Sequence, residues 1–167
     1  MNRPHAQHGF IFLEWLIVVC IVAILSAIAL PRALSLVYEW TINYEANCLL
    51  SDIRHIQMLS RTTQENLLGD KRGSMRTVPE IQLFAYGYRI DGNLHSPKQN
   101  HSFAPYIKIT LNPYGGGTGD LGVIRFEKNG VLSTAPLTIR FMVDGNPVIY
   151  KQIIVHKSGR SRIEGGE

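Results

Sequence analysis

His8-Gly9-Phe10-Ile11-Phe12-Leu13-Glu14-Trp15 opens an apolar run that continues to Leu30. From Phe10 to Leu30 Glu14 alone carries a charge, and neither Gly nor Pro interrupts. A helix of that length rises about 30 Å, the thickness of a bilayer's hydrocarbon core. A carboxylate costs about 2.5–3.5 kcal/mol at the membrane centre and less near an end, so Glu14 calls for a partner. A cut between Gly9 and Phe10 supplies one. The freed α-amine stands four residues, one helical turn, before Glu14. The two charges then neutralise each other within one chain, or Glu14 of one subunit pairs with the Phe10 amine of its neighbour.

Two plainer readings compete. Arg3, an apolar core and Ala27-Ile28-Ala29 also suit a secretory signal peptide. The apolar part of such a peptide is about 7–15 residues and uncharged; this run is longer and contains Glu14. A plain membrane anchor accounts for the length but leaves Glu14 and the Gly-Phe junction as accidents.

Gly9-Phe10-Ile11-Phe12-Leu13-Glu14 resembles the processing site of type IV pilins and pseudopilins. In those families a membrane peptidase cuts after the Gly, methylates the new N-terminal Phe, and leaves Glu at the fifth mature position. Pro31 matches the proline that follows the first apolar stretch in many of them. The resemblance implies cleavage between Gly9 and Phe10, N-methylation of Phe10, and roles in assembly for Glu14 and Pro31. It also implies a leader on the cytoplasmic side and the bulk of the chain outside. Arg3 and Arg32 flank the run on either side, so charge alone hardly sets the orientation.

The chain of 167 residues has room for one modest domain beyond the anchor. Its formal charge of +4 says little about partners by itself, and loss of Arg3 with a leader lowers it by one. Cys20 and Cys48, the two cysteines, would be about 42 Å apart on one helix, too far to bridge. They read as small packing residues.

After Pro31 the pattern stays helical. Leu34, Tyr38, Ile42, Ala46, Leu49, Ile53 and Ile56 recur at steps of three or four, with charged residues between them. Pro31 lacks an N–H and is expected to kink or open the helix locally. Gly69 is the expected stop, and Asp70-Lys71-Arg72-Gly73 the loop after it. The remainder reads as β, with expected strands Ile81–Tyr86, Gly87–Ile90, Tyr106–Leu111, Leu121–Glu127, Leu137–Val143, Val148–His156 and Arg160–Ile163. Asn129-Gly130 is the strongest hairpin signal and Asp144-Gly145 the next. Asn93–Pro105, polar and Pro-containing, reads as a long exposed loop.

The expected fold class is α+β. A long N-terminal helix, transmembrane in its first half and amphipathic in its second, packs on one face of a C-terminal antiparallel sheet. That is the pilin lollipop. The division is leader 1–9, assembly helix 10–31, amphipathic helix 32–68 and β-rich domain 69–167. Ala46–Gln57, Gly87-Tyr88-Arg89-Ile90, Ile124–Gly130 and the end, Ile153–Ile163, narrow the resemblance to the GspH/FimT branch of minor pilins and pseudopilins.

Catalytic chemistry is not suggested. The six histidines are scattered, none at metal-ligand spacing with Cys, Asp or Glu. Gly115-Gly116-Gly117-Thr118-Gly119 runs into Asp120 rather than Lys-Ser/Thr, so it is not a phosphate loop. The expectation is no enzyme, no cofactor and no metal. Lys71, Arg72 and Arg76 read as solvated loop charge. Lys157, Arg160 and Arg162 are more specific: on a strand the two arginines share a face about 7 Å apart, the separation of successive phosphates. The match Gly159-Arg160-Ser161-Arg162 resembles a Gly-Arg-x-Arg pattern that FimT-like members use to bind DNA during uptake. Glu164 and Glu167 oppose it, and no aromatic stands beside the pair.

The resemblance implies these partners: other pilins through the N-terminal helix, the prepilin peptidase and methylase, the inner-membrane assembly platform, and DNA. Two rivals stay open. One is a pseudopilin of a type II secretion system that touches only protein; the other is a membrane-anchored extracytoplasmic domain that never polymerises.

Overall fold

The computed structural model describes residues 7–63, 79–91, 98–112 and 120–165. One helix, α1, spans Gln7–Thr63 and is followed by eight strands. These are β1 (Glu80–Phe84), β2 (Gly87–Asp91), β3 (Gln99–Ser102), β4 (Ile107–Asn112), β5 (Asp120–Arg125), β6 (Leu137–Val143), β7 (Asn146–Val155) and β8 (Ser161–Gly165). The fold is α+β. By contacts the chain divides into residues Met1–Tyr38 and the compact unit Glu39–Glu167.

In the first unit α1 is bare. Every side chain from Ile11 to Leu34 is exposed. The helix is long and apolar enough to cross a membrane, which suits a single-pass anchor or a signal sequence. Helical hydrogen bonding continues through Pro31, although proline cannot donate to the preceding turn. The expected local opening does not break the helix. Gln7, His8 and Gly9 are already helical, so the Gly-Phe junction lies inside α1.

In the second unit α1 is the spine of the core. Ile42, Ala46, Leu49, Ile53 and Ile56 are completely buried, as their spacing predicts, whereas Leu34 stays exposed. Burying each of the four large aliphatics contributes about 1.5–3 kcal/mol. Residues 64–68 and the expected stop at Gly69 lie outside the described residues.

The β part forms two sheets of four strands each, not the single sheet expected. The first has the order β3-β2-β1-β5 and the second β4-β6-β7-β8. All pairings are antiparallel. Alternation places Ile107 and Ile109, then Ile139 and Phe141, then Ile153 and Val155 in the core.

Two expectations need correction. Within the segment read as the exposed loop Asn93–Pro105, Gln99–Ser102 is an edge strand on β2, and Phe103 beside it is buried. Polar residues form that strand because only its inner neighbours need to be apolar. At Asn129-Gly130 the chain does turn, with Gly130 N–H donating to Glu127 O. The hairpin is short: Phe126 and Leu132 form a lone bridge between the bonds Glu127 N–H to Val131 O and Ser133 N–H to Arg125 O, while Leu132 N–H faces the other way and donates to Lys157 O.

The turns at Gly130 and Gly159 pack against one another on α1. Both glycines have positive φ, +80° and +82°. Gln57 Nε2 donates to Gly130 O at 2.7 Å and to Gly159 O at 3.1 Å, tying both turns to the helix. A Cβ on Gly159 would stand 2.0 Å from Gly130 O, whereas one on Gly145, with φ +81°, meets nothing within 4 Å. Gly145→Ala therefore costs only the left-handed penalty of about 1–2 kcal/mol. Gly159→Ala costs clearly more, since backbone has to move as well. Denaturant midpoints of the detergent-solubilised chain check that order; equal losses would contradict it.

Candidate functional site

The apolar helix contains few polar side chains, and they differ in how they are satisfied. Ser26 Oγ donates to Val22 O at 2.7 Å, closing its hydrogen bond within the turn before it. Glu14 is exposed among Ile11, Leu13, Ile17 and Val18. No cation among the described residues pairs with it. Phe10 is one turn below, on the N-terminal side, toward which helical side chains tilt. Cys20 and Cys48 are both free thiols.

The second predicted group lies at the turn between β7 and β8. Here the structure separates three residues that the sequence placed together. Lys157 Nζ donates to Leu132 O, Ser133 O and Thr134 O at 2.7, 3.4 and 3.2 Å. Its ammonium holds the 132–134 segment in place and is not free to reach a ligand. Arg162 is on β8 and pairs with Glu164 Oε1 at 2.6 Å, two residues along the same face. Arg160 precedes the strand instead of lying within it, is exposed, and has no carboxylate partner among the described residues. Sequence reading missed Arg61, whose guanidinium lies against Gly130 and so beside the Gly159 turn. Lys71, Arg72, Arg76 and the Gly115–Gly119 loop lie outside the described residues.

The helix also carries polar anchors that only the structure reveals. Glu45 is buried, its carboxylate 2.7 Å from His101 Nε2 and accepting from Ala104 N–H at 3.3 Å. One helix residue thus holds β3 and the chain after it. Tyr88 Oη donates to Asp52 Oδ2 at 2.5 Å, and the Tyr88 ring stacks on His101 at 4.9 Å. Burial, and then the hydrogen bond to Asp52, push the Tyr88 phenol far above its usual 10. On the second sheet Lys108 pairs with Asp144, which raises the lysine's pKa and lowers the aspartate's. No group of three His, Cys, Asp or Glu side chains is arranged to hold a metal among the described residues.

No protein-family profile, curated protein sequence or solved structure matches this chain.

Tyr88 links pH to stability with a definite sign. The unfolded chain ionises this phenol near 10, while the folded chain keeps the proton. Its contribution is complete below pH 10 and is lost progressively as the pH rises beyond it. Stability measured between about pH 9 and 11 should fall less steeply in Tyr88→Phe than in the parent. An unchanged slope would contradict the assignment.

Proposed function

We propose that the chain is a minor pilin or pseudopilin of the GspH/FimT type, a structural subunit of a type IV pilus-like filament. The observation that carries this reading is Glu14: a carboxylate on an exposed apolar helix, with no cationic partner among the described residues, one turn after a Gly-Phe junction. The leader and apolar helix hold the precursor in the inner membrane, with the globular unit outside. Cleavage after Gly9 creates the Phe10 amine, and N-methylation modifies it. On extraction into a filament, neighbouring helices replace lipid around residues 11–30. Pairing of Glu14 with an amine then sets register, because a subunit slipped by one turn leaves a buried charge uncompensated. The prepilin peptidase, the assembly platform and other pilins are the partners this demands.

Mass spectrometry of the chain from native cells should show an N-terminus at a methylated Phe10. Glu14→Ala should leave membrane insertion and processing intact, yet reduce incorporation into sheared filaments at least about tenfold, as expected for an unpaired buried charge. An intact precursor would instead favour an anchored extracytoplasmic domain that never polymerises.

A second reading concerns DNA, and Arg160 favours it. This exposed residue, without a carboxylate partner among the described residues, directly follows the Gly159 turn. Duplex DNA would be held through phosphates alone, so binding weakens with salt. Arg160→Ala should lower the slope of log affinity against log salt by about one. No binding of the parent chain at low salt would leave the protein-only role of a type II secretion pseudopilin.

A further inference from the structure

The outward face of the second sheet carries an arginine that is held still without being neutralised. Strand pairing sets Thr110, Arg140 and Gln152 side by side across β4, β6 and β7, with Asn112 opposite Thr138 two residues along. Ile139 and Phe141 on either side of Arg140 enter the core, so Arg140 itself points to solvent. Its guanidinium lies over the Tyr150 ring, 4.9 Å from the centroid. Gln152 Oε1 accepts from Arg140 Nε and Nη2 at 2.9 and 2.8 Å, the amide orientation in which no donor faces a donor. Neutral groups thus fix one face and one edge of the fork, and its other edge is left over. Lys108 and Arg162 on the same face are paired with Asp144 and Glu164. No carboxylate among the described residues pairs with Arg140. Beside it runs a groove of about 340 Å³, lined by Thr110, Leu111, Asn112, Thr138, Arg140 and Gln152.

We propose that this groove binds an acidic saccharide, with Arg140 holding the carboxylate of a uronic acid unit. A planar guanidinium takes a carboxylate through two parallel N–H···O bonds, and one already oriented loses less freedom in doing so. The other polar side chains lining the groove are neutral, two hydroxyls and two amides. They donate and accept, as the hydroxyls of a sugar require. Thr110 is one strand spacing from Arg140, about 4.8 Å, and Thr138 is about 7 Å along β6. Those separations are comparable with the width of one sugar ring. Leu111 adds an apolar wall for the ring's C–H face. The volume is that of a small-molecule site, which run from about 300 to 1,000 Å³. A nucleic acid fits less well, because a run of phosphates calls for several free cations. Among the described residues of this face Arg140 alone has no carboxylate partner. The proposal uses only the globular unit and does not depend on the filament reading.

The test titrates the full-length, detergent-solubilised chain with the trimers of glucuronic, galacturonic and mannuronic acid and reads the heat of binding. At least one trimer should bind with a Kd below about 1 mM. Its methyl ester, which lacks the charge, should bind at least about tenfold more weakly. Arg140→Lys should weaken the acid about tenfold or more, because an ammonium cannot make the paired bonds. Thr138→Val leaves the Arg140–Gln152 pair in place and should weaken the trimer about threefold to tenfold, which keeps the test decisive should Arg140 variants unfold. Arg160→Ala should bind as the parent does. Absence of binding for all three trimers at about 10 mM, or an ester or sodium acetate that binds as well as the acid trimer, would each overturn the proposal. Duplex DNA that binds more tightly than any trimer and is lost in Arg140→Gln would assign the face to nucleic acid instead.

Discussion

The globular unit depends on one helical face. Ile42, Ala46, Leu49, Ile53 and Ile56 are removed from water against strands that otherwise belong to two separate sheets. Ile42 lies beside β7 of the second sheet, while Asp52 and Glu45 reach Tyr88 and His101 of the first. The two sheets also meet directly, through Ile109 N–H donating to Ala85 O at 2.8 Å and the edge contact of Phe103 with Phe141, so helix and both sheets share one core. Hydrogen bonds refine this placement. Glu45, Asp52 and Gln57 each grip a different part of the β structure, and Gln57 reaches two turn tips at once.

The same helix meets two environments. Along residues 11–30 every side chain is exposed, whereas between 42 and 60 one face is sealed. Its two glutamates on apolar ground show what each environment requires. Glu45 is buried and satisfied by a histidine and a backbone amide of the same chain. Glu14 has no such provision among the described residues, and its apolar surroundings make it costly wherever water is excluded. A carboxylate kept in that position is a demand for a partner from elsewhere. On the filament reading, proteolysis and assembly meet that demand together.

Much of the fold was legible because its signals are local. The periodicity of Ile42 through Ile56 identified the buried face, and alternation located seven of the eight strands to within about two residues. Turn residues marked Gly130, Gly145 and Gly159, all of which adopt positive φ. The failures were not local. β3 is polar, and it is a strand because β2 offers it an edge and Glu45 holds its histidine. The division into two sheets follows from β5 pairing with β1 across some forty residues of chain, a partnership no short motif encodes.

The site divides in the same way. A run of apolar residues, one glutamate and a Gly-Phe junction are properties of the chain as written, so the sequence alone determined the membrane-length helix and the position of the one charge within its apolar run. Tertiary structure decided the fate of the basic residues near the C-terminus. It committed Lys157 to three carbonyls and Arg162 to Glu164, and it left Arg160 exposed with no carboxylate partner among the described residues. Spacing specifies which side chains leave one face of a strand. Only packing determines which of their charges have already been spent on the protein itself.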